Sequence, residues 1–312
     1  MPEVKFGVSL WPLPLEQAER VEELGFDSLW TSEHMLFYVP IFDTVTVLAA
    51  YAARTKRLLL GTAVMLLPLR HPTVTAKEVA SLDIISNGRI ILGVGVGGEF
   101  AREFVACGVP LNERGARTDE AIQVMRRLWN ESHVNHEGRF FRLEDATMEP
   151  KPVQRPGPPI WIAGRSEAAM RRAARLGDGY LPYLFSPERY RESLAKVRAY
   201  AEAAGRDPSA IQGAIYQFIA LADTYEEARQ RANQELSLRY NQPFDRVVDR
   251  YCVLGTLDQC VERLSQYVEA GVTHFCLVPI GPPRELPAHL EAYARQIAPR
   301  LRGGPTASHR SS

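Results

Sequence analysis

The chain has 312 residues, 46% of them hydrophobic, and its 37 basic and 37 acidic side chains give a formal net charge of zero. This neutral balance argues against nucleic acid or an anionic membrane as a general partner, because both attract an excess of positive charge. No run of about 18 apolar residues is present, so no membrane-spanning helix is predicted.

Short apolar runs alternate with longer helical patterns along the whole chain. The runs predicted as strands are 4–10, 27–31, 57–66, 90–98, 159–163, 179–184, 211–222 and 274–279. The stretches predicted as helices are 15–24, 43–55, 73–85, 117–129, 166–176, 187–204, 225–240, 257–270 and 286–301. Strands that alternate with helices pair in parallel through right-handed crossovers.

Eight strand–helix units in about 300 residues are the pattern of an α/β protein with a (β/α)8 TIM barrel. A doubly wound open sheet remains the alternative. We predict a single domain over residues 1–302 and a disordered tail over 303–312. Two segments exceed the barrel minimum: a hairpin and proline-rich connection over 133–158, after the fourth helix, and residues 238–255, after the seventh strand.

Glycines alternate with branched residues in the fourth strand, which reads ILGVGVGG from Ile91 to Gly98. Glycine has no Cβ, so this strand would let a flat molecule lie close to the backbone. The alternative is that the glycines fit a crowded barrel interior. The spacing also resembles a dinucleotide fingerprint, but that motif needs a helix to follow directly. Here a polar loop with Glu99, Arg102 and Glu103 is predicted instead.

Ala163, Gly164, Arg165 and Ser166 follow the fifth strand and lead into a predicted helix. The backbone N–H groups and the dipole at a helix N-terminus attract anions, and Arg165 and Ser166 add donors. This segment therefore predicts a phosphate site. The alternative is an ordinary helix capped by Ser166. The arginines that follow are predicted to form a solvated face: Arg171, Arg172 and Arg175.

Polar and small residues follow the second and third strands. Glu33 and His34 place a carboxylate beside an imidazole, a combination that can move protons near neutral pH. The alternative for His34 is an ordinary polar loop residue. Gly61 to Val64 would let a planar ring lie against the third strand, with plain core packing as the alternative.

The remaining signals are negative. The four cysteines form no C-x-x-C pair, and the histidines away from strand ends read as turn, surface or core residues, so no metal site is expected. The N-terminus lacks the basic start and apolar run of a signal peptide, which predicts a cytoplasmic protein.

Several of these stretches, in this order and spacing, resemble the bacterial luciferase-like monooxygenase superfamily. The style is that of the branch that uses the deazaflavin coenzyme F420, although FMN-dependent members share most of the motifs. The stretches that carry the resemblance are Ser28–Leu29–Trp30 with Glu33–His34, Leu60 to Val64, Asn87 to Gly95, Glu113 to Glu120, Lys151 to Pro159, and Pro159 to Ser166 with Arg171 to Tyr180.

The resemblance implies a TIM barrel that holds a flavin-like ring at the C-terminal ends of its strands. It implies a non-prolyl cis peptide at Ala63–Val64, behind the ring, and a catalytic His34 preceded by the acidic Glu33. Glu99 lies one position later than the glutamate of the related dehydrogenases, which have it where this chain has Gly98. The implied cofactor contacts are Ala63, Val64, Gly95, Gly97, Gly98, Ala163, Gly164, Arg165 and Ser166.

The function implied is hydride transfer between coenzyme F420 and an unidentified small organic substrate. The alternative is an FMN-dependent monooxygenase that uses O2 and reduced flavin from a separate reductase. The family also implies a homodimer. Tyr216, Gln217 and residues 238–251 are expected to shape the substrate pocket. A non-catalytic cofactor carrier and an unrelated phosphate-binding barrel enzyme are further alternatives.

Overall fold

The chain folds as a closed barrel of eight parallel strands surrounded by helices. The structure is a computed structural model that describes residues 3–10 and 15–302. The tail predicted over 303–312 lies outside the described residues. The strands in chain order are β1 (Lys5–Ser9), β2 (Ser28–Thr31), β3 (Leu59–Thr62), β4 (Met65–Leu66), β5 (Ile90–Gly95), β6 (Val134–Glu137), β7 (Arg142–Ala146), β8 (Ile160–Ile162), β9 (Gly179–Tyr180), β10 (Gln212–Leu221), β11 (Val253–Gly255) and β12 (His274–Pro279).

Helices fill the connections between the strands. They are α1 (Gln17–Glu23), α2 (Thr44–Arg54), α3 (Pro72–Ser86), α4 (Ala101–Ala106), α5 (Arg114–Asn130), α6 (Glu167–Leu176), α7 (Pro187–Ala203), α8 (Tyr225–Tyr240), α9 (Val248–Tyr251), α10 (Leu257–Glu269), α11 (Leu286–Ala292) and α12 (Ala298–Arg302). A π-helical turn over Tyr293–Ile297 joins the last two, within the stretch predicted as one helix.

Parallel pairing runs around the barrel in the order β1, β2, β3, β5, β8, β9, β10, β12 and back to β1. The closing contact is between β9 and β10, where Gln212 lies opposite Gly179. The predicted TIM barrel is therefore confirmed, and the open-sheet alternative is wrong. β11 pairs with the far end of β10, outside the barrel, and the sequence analysis did not predict it.

The side chains of β5 show how the two faces of a barrel strand differ. Ile90, Leu92 and Val94 pack in the large core between the strands and the outer helices. Ile91 instead joins the barrel interior with Trp30 and Trp161. Because side chains alternate along a strand, Gly93 and Gly95 share the inward face of Ile91.

The two predicted insertions lie where the sequence placed them. β6 and β7 pair antiparallel, which confirms the predicted hairpin. Residues 238–255 contain α9 and β11. The segment between β5 and α5, predicted as irregular loop, contains the short helix α4, and α5 begins at Arg114 rather than 117.

One predicted surface residue is instead buried. Arg172 of α6 is only 7% exposed, binds the carboxylate of Asp119, and donates a hydrogen bond to the Gly115 carbonyl at 3.0 Å. Arg171 and Arg175 are exposed, as predicted. Arg172 points toward α5, where it binds Asp119 and Gly115, whereas Arg171, one position earlier on α6, points away from them. Among residues 3–10 and 15–302, no helix has the length and hydropathy of a membrane span.

Candidate active site

A cavity of about 420 Å³ opens at the C-terminal ends of the barrel strands. The segments that follow β2, β3, β5 and β8 line it, together with Tyr216 on β10 and the end of α8. All eleven site residues predicted from sequence lie on its wall: Glu33, His34, Ala63, Val64, Gly95, Gly97, Gly98, Ala163, Gly164, Arg165 and Ser166. The fold thus brings them to one place, and their individual roles stay predictions.

The end of β3 forms one wall. The peptide bond between Ala63 and Val64 is cis, as the resemblance implied. A Cβ built on Gly95 would lie 2.5 Å from Cγ2 of Val64, and one on Gly93 would strike the Thr62 carbonyl. The close approach at Gly93 and Gly95 is therefore first of all to the protein's own chain. The crowded-interior interpretation accounts for these two glycines.

Gly97 and Gly98, in the turn after β5, are favoured for a different reason, which is their backbone conformation. Gly97 and Gly98 have φ angles of +59° and +110°, in the region that favours glycine. A Cβ on Gly98 would lie 3.2 Å from Nε of Arg114, a residue that sequence reasoning missed as a site residue. Arg114 donates to the Leu111 carbonyl at 2.8 Å, while its buried Nε has no partner among the described residues. A cation thus lies directly beneath the glycine turn.

The N-terminus of α6 faces the same cavity. Ser166 caps the helix, since its Oγ accepts a hydrogen bond from Ala169 N at 3.2 Å. Gly164 has a φ of +124°, and its carbonyl accepts a hydrogen bond from the Tyr180 hydroxyl at 3.0 Å. The guanidinium of Arg165 lies over the Tyr183 ring, 4.8 Å from its centroid. In the described part of the chain, no carboxylate comes within ion-pair distance of Arg165. Ser166 is therefore confirmed as the helix cap, and the anion site stays a prediction that is compatible with this cap.

His34 has a buried carboxylate as its partner. Its Nδ1 lies 3.2 Å from both carboxylate oxygens of Glu103, a side chain with no exposed surface. Glu103 Oε2 also accepts the backbone N–H of Met35 at 3.1 Å. The imidazole stacks on Phe37, with ring centroids 3.9 Å apart. Within residues 3–10 and 15–302, the other ring nitrogen, Nε2, has no hydrogen-bond partner.

Glu33, the acidic neighbour in sequence, is bound elsewhere. Its Oε1 accepts a hydrogen bond from Nε of Arg70 at 2.8 Å, and its side chain is 1% exposed. Arg70 also binds Asp43 at 2.6 Å and Glu78 at 3.3 Å. Burial raises the pKa of Glu33, although the Arg70 charge opposes that shift. The carboxylate that accompanies His34 is thus Glu103, and Glu33 ties its segment to α2 and α3.

Glu99 extends into the cavity from the turn after β5. Its side chain is accessible from the cavity, yet protein atoms surround it and limit its hydration. This desolvation raises the pKa of Glu99; the nearby charges of His34 and Arg165 lower it, and Glu103 raises it further. Arg239 and Tyr240 also line the cavity, and they lie in the region 238–251 that was expected to shape the substrate pocket. The residues that the sequence analysis missed here are Phe37, Glu103 and Arg114. Only Glu103 carried a signal, as a polar residue in the glycine loop.

The fold and site define an enzyme of the barrel class whose pocket, at the strand ends, combines a helix N-terminus and Arg165 with a histidine–carboxylate pair. The sequence model of the luciferase-like monooxygenase family matches residues 14–274. The chain therefore belongs to this family of oxidoreductases.

Relatives of known name match nearly the whole chain. It is 31% identical to a protein named F420-dependent glucose-6-phosphate dehydrogenase of Amycolatopsis mediterranei, over 92% of this chain and 94% of the relative. A protein of the same name from Beutenbergia cavernae is 33% identical, over 90% of each chain.

Solved structures also match nearly the whole chain. The crystal structure of monooxygenase RslO1 from Streptomyces bottropensis is 32% identical, covers 95% of this chain and 99% of its own, and superposes with a TM-score of 0.82. An F420-dependent secondary alcohol dehydrogenase, in complex with an F420–acetone adduct, superposes with a TM-score of 0.86 at 22% identity over 96% and 99% of the two chains. That second likeness concerns the fold alone.

Proposed function

We propose that this protein transfers a hydride between coenzyme F420 and a small organic substrate. The observation that carries the proposal is the meeting, in one cavity, of the N-terminus of α6 and Arg165 with a histidine held at Nδ1 by a buried carboxylate. Relatives named as F420-dependent, at 31% and 33% identity over most of the chain, support the choice of cofactor.

The residues at the strand ends fit a planar, phosphorylated cofactor. Ala63, Gly95, Gly97 and Gly98 line the cavity, and none of them carries a bulky side chain that would project into it. The partnerless buried Nε of Arg114 marks a donor without an acceptor, as expected where a ligand anion belongs.

The phosphate would lie at the start of α6. The backbone N–H groups and the helix dipole at this end of α6 favour negative charge. Arg165 adds a charged donor, and in the described part of the chain no carboxylate lies within ion-pair distance of it. Ala163, Gly164 and Ser166 shape this turn and complete the predicted cofactor contacts.

His34 is the proposed proton donor and acceptor. Because a carboxylate can only accept, Glu103 favours the tautomer with its proton on Nδ1, which leaves the Nε2 lone pair for substrate. Coenzyme F420, when bound, supplies the hydride acceptor or donor. His34 would take the proton from a substrate hydroxyl, or return it to a carbonyl oxygen. Glu33 contributes through Arg70, which holds the segment that carries His34.

A second candidate is an FMN-dependent monooxygenase supplied with reduced flavin by a separate reductase. It is favoured by the 32% identity to a structure named as a monooxygenase. The same cavity could receive either ring, because both cofactors carry a phosphate. The homodimer and the cytoplasmic location stay predictions.

A cofactor titration separates the two candidates. The apoprotein is titrated with F420 and with FMN under matched conditions, and O2 consumption is then measured with each reduced cofactor. We expect F420 to bind at least roughly tenfold more tightly than FMN, a difference in binding free energy of about 1.4 kcal/mol. We also expect no O2 to be consumed. Tighter binding of FMN with O2 consumption would establish the monooxygenase, and binding of neither would end both proposals.

A further inference from the structure

We infer that the substrate is an uncharged organic molecule with an apolar body and an alcohol or ketone group, and not a phosphorylated sugar. This inference rests on the proposed function and names its substrate class. It concerns the part of the cavity wall formed by His34, Phe37, Tyr216 and Tyr240, which we term the aromatic wall.

The aromatic wall is continuous. His34 stacks on Phe37 at 3.9 Å, and the Phe37 ring meets the Tyr240 ring edge to face at 6.1 Å. Behind them, Phe218 touches both Tyr240, at 6.3 Å, and Tyr216, at 5.5 Å, in perpendicular arrangements. Such a set of rings holds its own shape and offers apolar surface beside the proton-handling residue.

Aliphatic side chains extend this surface. Val39 and Ile41, from the segment between β2 and α2, line the same cavity. Apolar lining of this kind stabilises a hydrocarbon body by removing it from water, and it offers a charged group nothing in return for lost hydration.

The arginine nearest the aromatic wall already has a counter-ion. Arg239 lines the cavity from the end of α8, and its Nη2 lies 2.6 Å from Oε1 of Glu235. The Arg239 side chain is only 10% exposed, and its guanidinium lies 6.0 Å from the Phe218 ring centroid. Glu235 is held in turn by the backbone N–H of Gly281 at 3.0 Å. This buried pair adds no net positive charge to the wall.

The other two arginines that line the described cavity belong to the proposed cofactor site. Arg114 is beneath Gly98, after β5, and Arg165 follows β8. These are the arginines assigned to the cofactor phosphate. Glu99 adds a carboxyl group to the cavity. A substrate phosphate at the aromatic wall would therefore lose its hydration without gaining a free cation.

The required functional group follows from His34. A residue that moves a proton needs a substrate that gains or loses one as it is oxidised or reduced, and the secondary alcohol–ketone pair does so. The relatives named as glucose-6-phosphate dehydrogenases are thus expected to differ from this chain in substrate.

Equilibrium binding tests the inference directly. The F420-loaded protein is titrated calorimetrically with 1-phenylethanol, cyclohexanol, glucose 6-phosphate and inorganic phosphate. We expect at least one neutral alcohol to bind roughly tenfold more tightly than glucose 6-phosphate. Glucose 6-phosphate binding as tightly as the alcohols, or neither alcohol binding, would overturn the inference. F420 affinity is measured first and separately, so that a failure of the proposed function is distinguished.

Two variants locate the effect. Tyr240→Ala should weaken alcohol binding about tenfold, whereas Tyr225→Ala, at the other end of α8, should leave it unchanged. Glu235→Gln removes the negative charge that neutralises Arg239. The Arg239 charge then becomes available to a substrate phosphate, so glucose 6-phosphate binding should tighten several-fold. Melting temperatures distinguish a variant that unfolds from one that has lost only the aromatic wall. Glu99→Gln is a second charge variant, and it should also tighten glucose 6-phosphate binding. Equal loss in both tyrosine variants, or no gain of phosphate binding in either charge variant, would count against the inference.

Discussion

The imidazole of His34 and the carboxylate of Glu103 lie 3.2 Å apart although 69 residues separate them in the chain. His34 follows β2, while Glu103 belongs to the short helix α4 after β5. The contact sets both the position and the tautomer of the ring, because Nδ1 must donate to the carboxylate. This pair links the barrel topology to the chemistry proposed for the cavity.

Replacement of His34 by Ala is expected to lower kcat by roughly 10²–10⁴-fold, since the proton donor and acceptor is lost. Cofactor affinity should change little, because the proposed anion site is formed by the start of α6 and not by the segment that carries His34. Steady-state turnover and fluorescence titration with F420 measure the two quantities independently. Unchanged turnover would remove His34 from the mechanism.

Glu103→Gln tests the positioning role of the carboxylate. The variant keeps the side-chain shape and should lower kcat about tenfold or more. The KM for the substrate should change much less than kcat, because the variant disturbs the orientation of the imidazole and leaves the cavity wall in place. The control is Glu113→Gln, whose carboxylate pairs with Arg117 at 2.9 Å and does not line the cavity. A fall in melting temperature that accompanies the loss of kcat would indicate a structural role only.

Arg165→Ala is expected to weaken F420 binding by about ten- to a hundredfold, the range for a charge-assisted hydrogen bond of roughly 1.5–3 kcal/mol. Arg171→Ala is a matched control on α6. That side chain is 57% exposed and pairs with Glu167. Equal affinities for the two variants would contradict the assignment of the phosphate to the start of this helix.

Glu22 gives a prediction about stability and pH. Its carboxylate accepts the backbone N–H groups of Lys56, Arg57 and Leu58 at 2.6–3.1 Å. Burial acts to raise its pKa, but these hydrogen bonds outweigh that effect and lower it below the ordinary value of 4.5. A carboxyl group whose pKa is lower in the folded state stabilises the protein at any pH above its ordinary pKa. This stabilisation is lost as the pH falls through the folded-state pKa.

Glu22→Gln should therefore cost about 1 kcal/mol of unfolding free energy near pH 7, and the difference from the unmodified protein should shrink near pH 4. Urea unfolding at the two pH values measures it. Glu23→Gln, at an exposed position on the same helix, should have no comparable effect. A difference that grows on acidification would contradict the sign of the argument.

The strand–helix alternation was readable from sequence because each element carries its own period of apolar residues. The short strand β11 and helix α4 were not, since only three and six residues define them. Gly93 and Gly95 were recognised as unusual, but the sequence could not say what approaches them. In the tertiary structure, Thr62 and Val64 of the neighbouring strand segment are the residues that approach them.

The sequence by itself determined the barrel and the residues that gather at the strand ends, because local patterns and the common edge of parallel strands specify them. It also predicted an anion site at the turn before α6. Only the tertiary structure decided that Glu103, and not Glu33, is the partner of His34, and that Arg239 is neutralised by Glu235. Such pairings depend on distances between segments far apart in the chain, and no local periodicity encodes them.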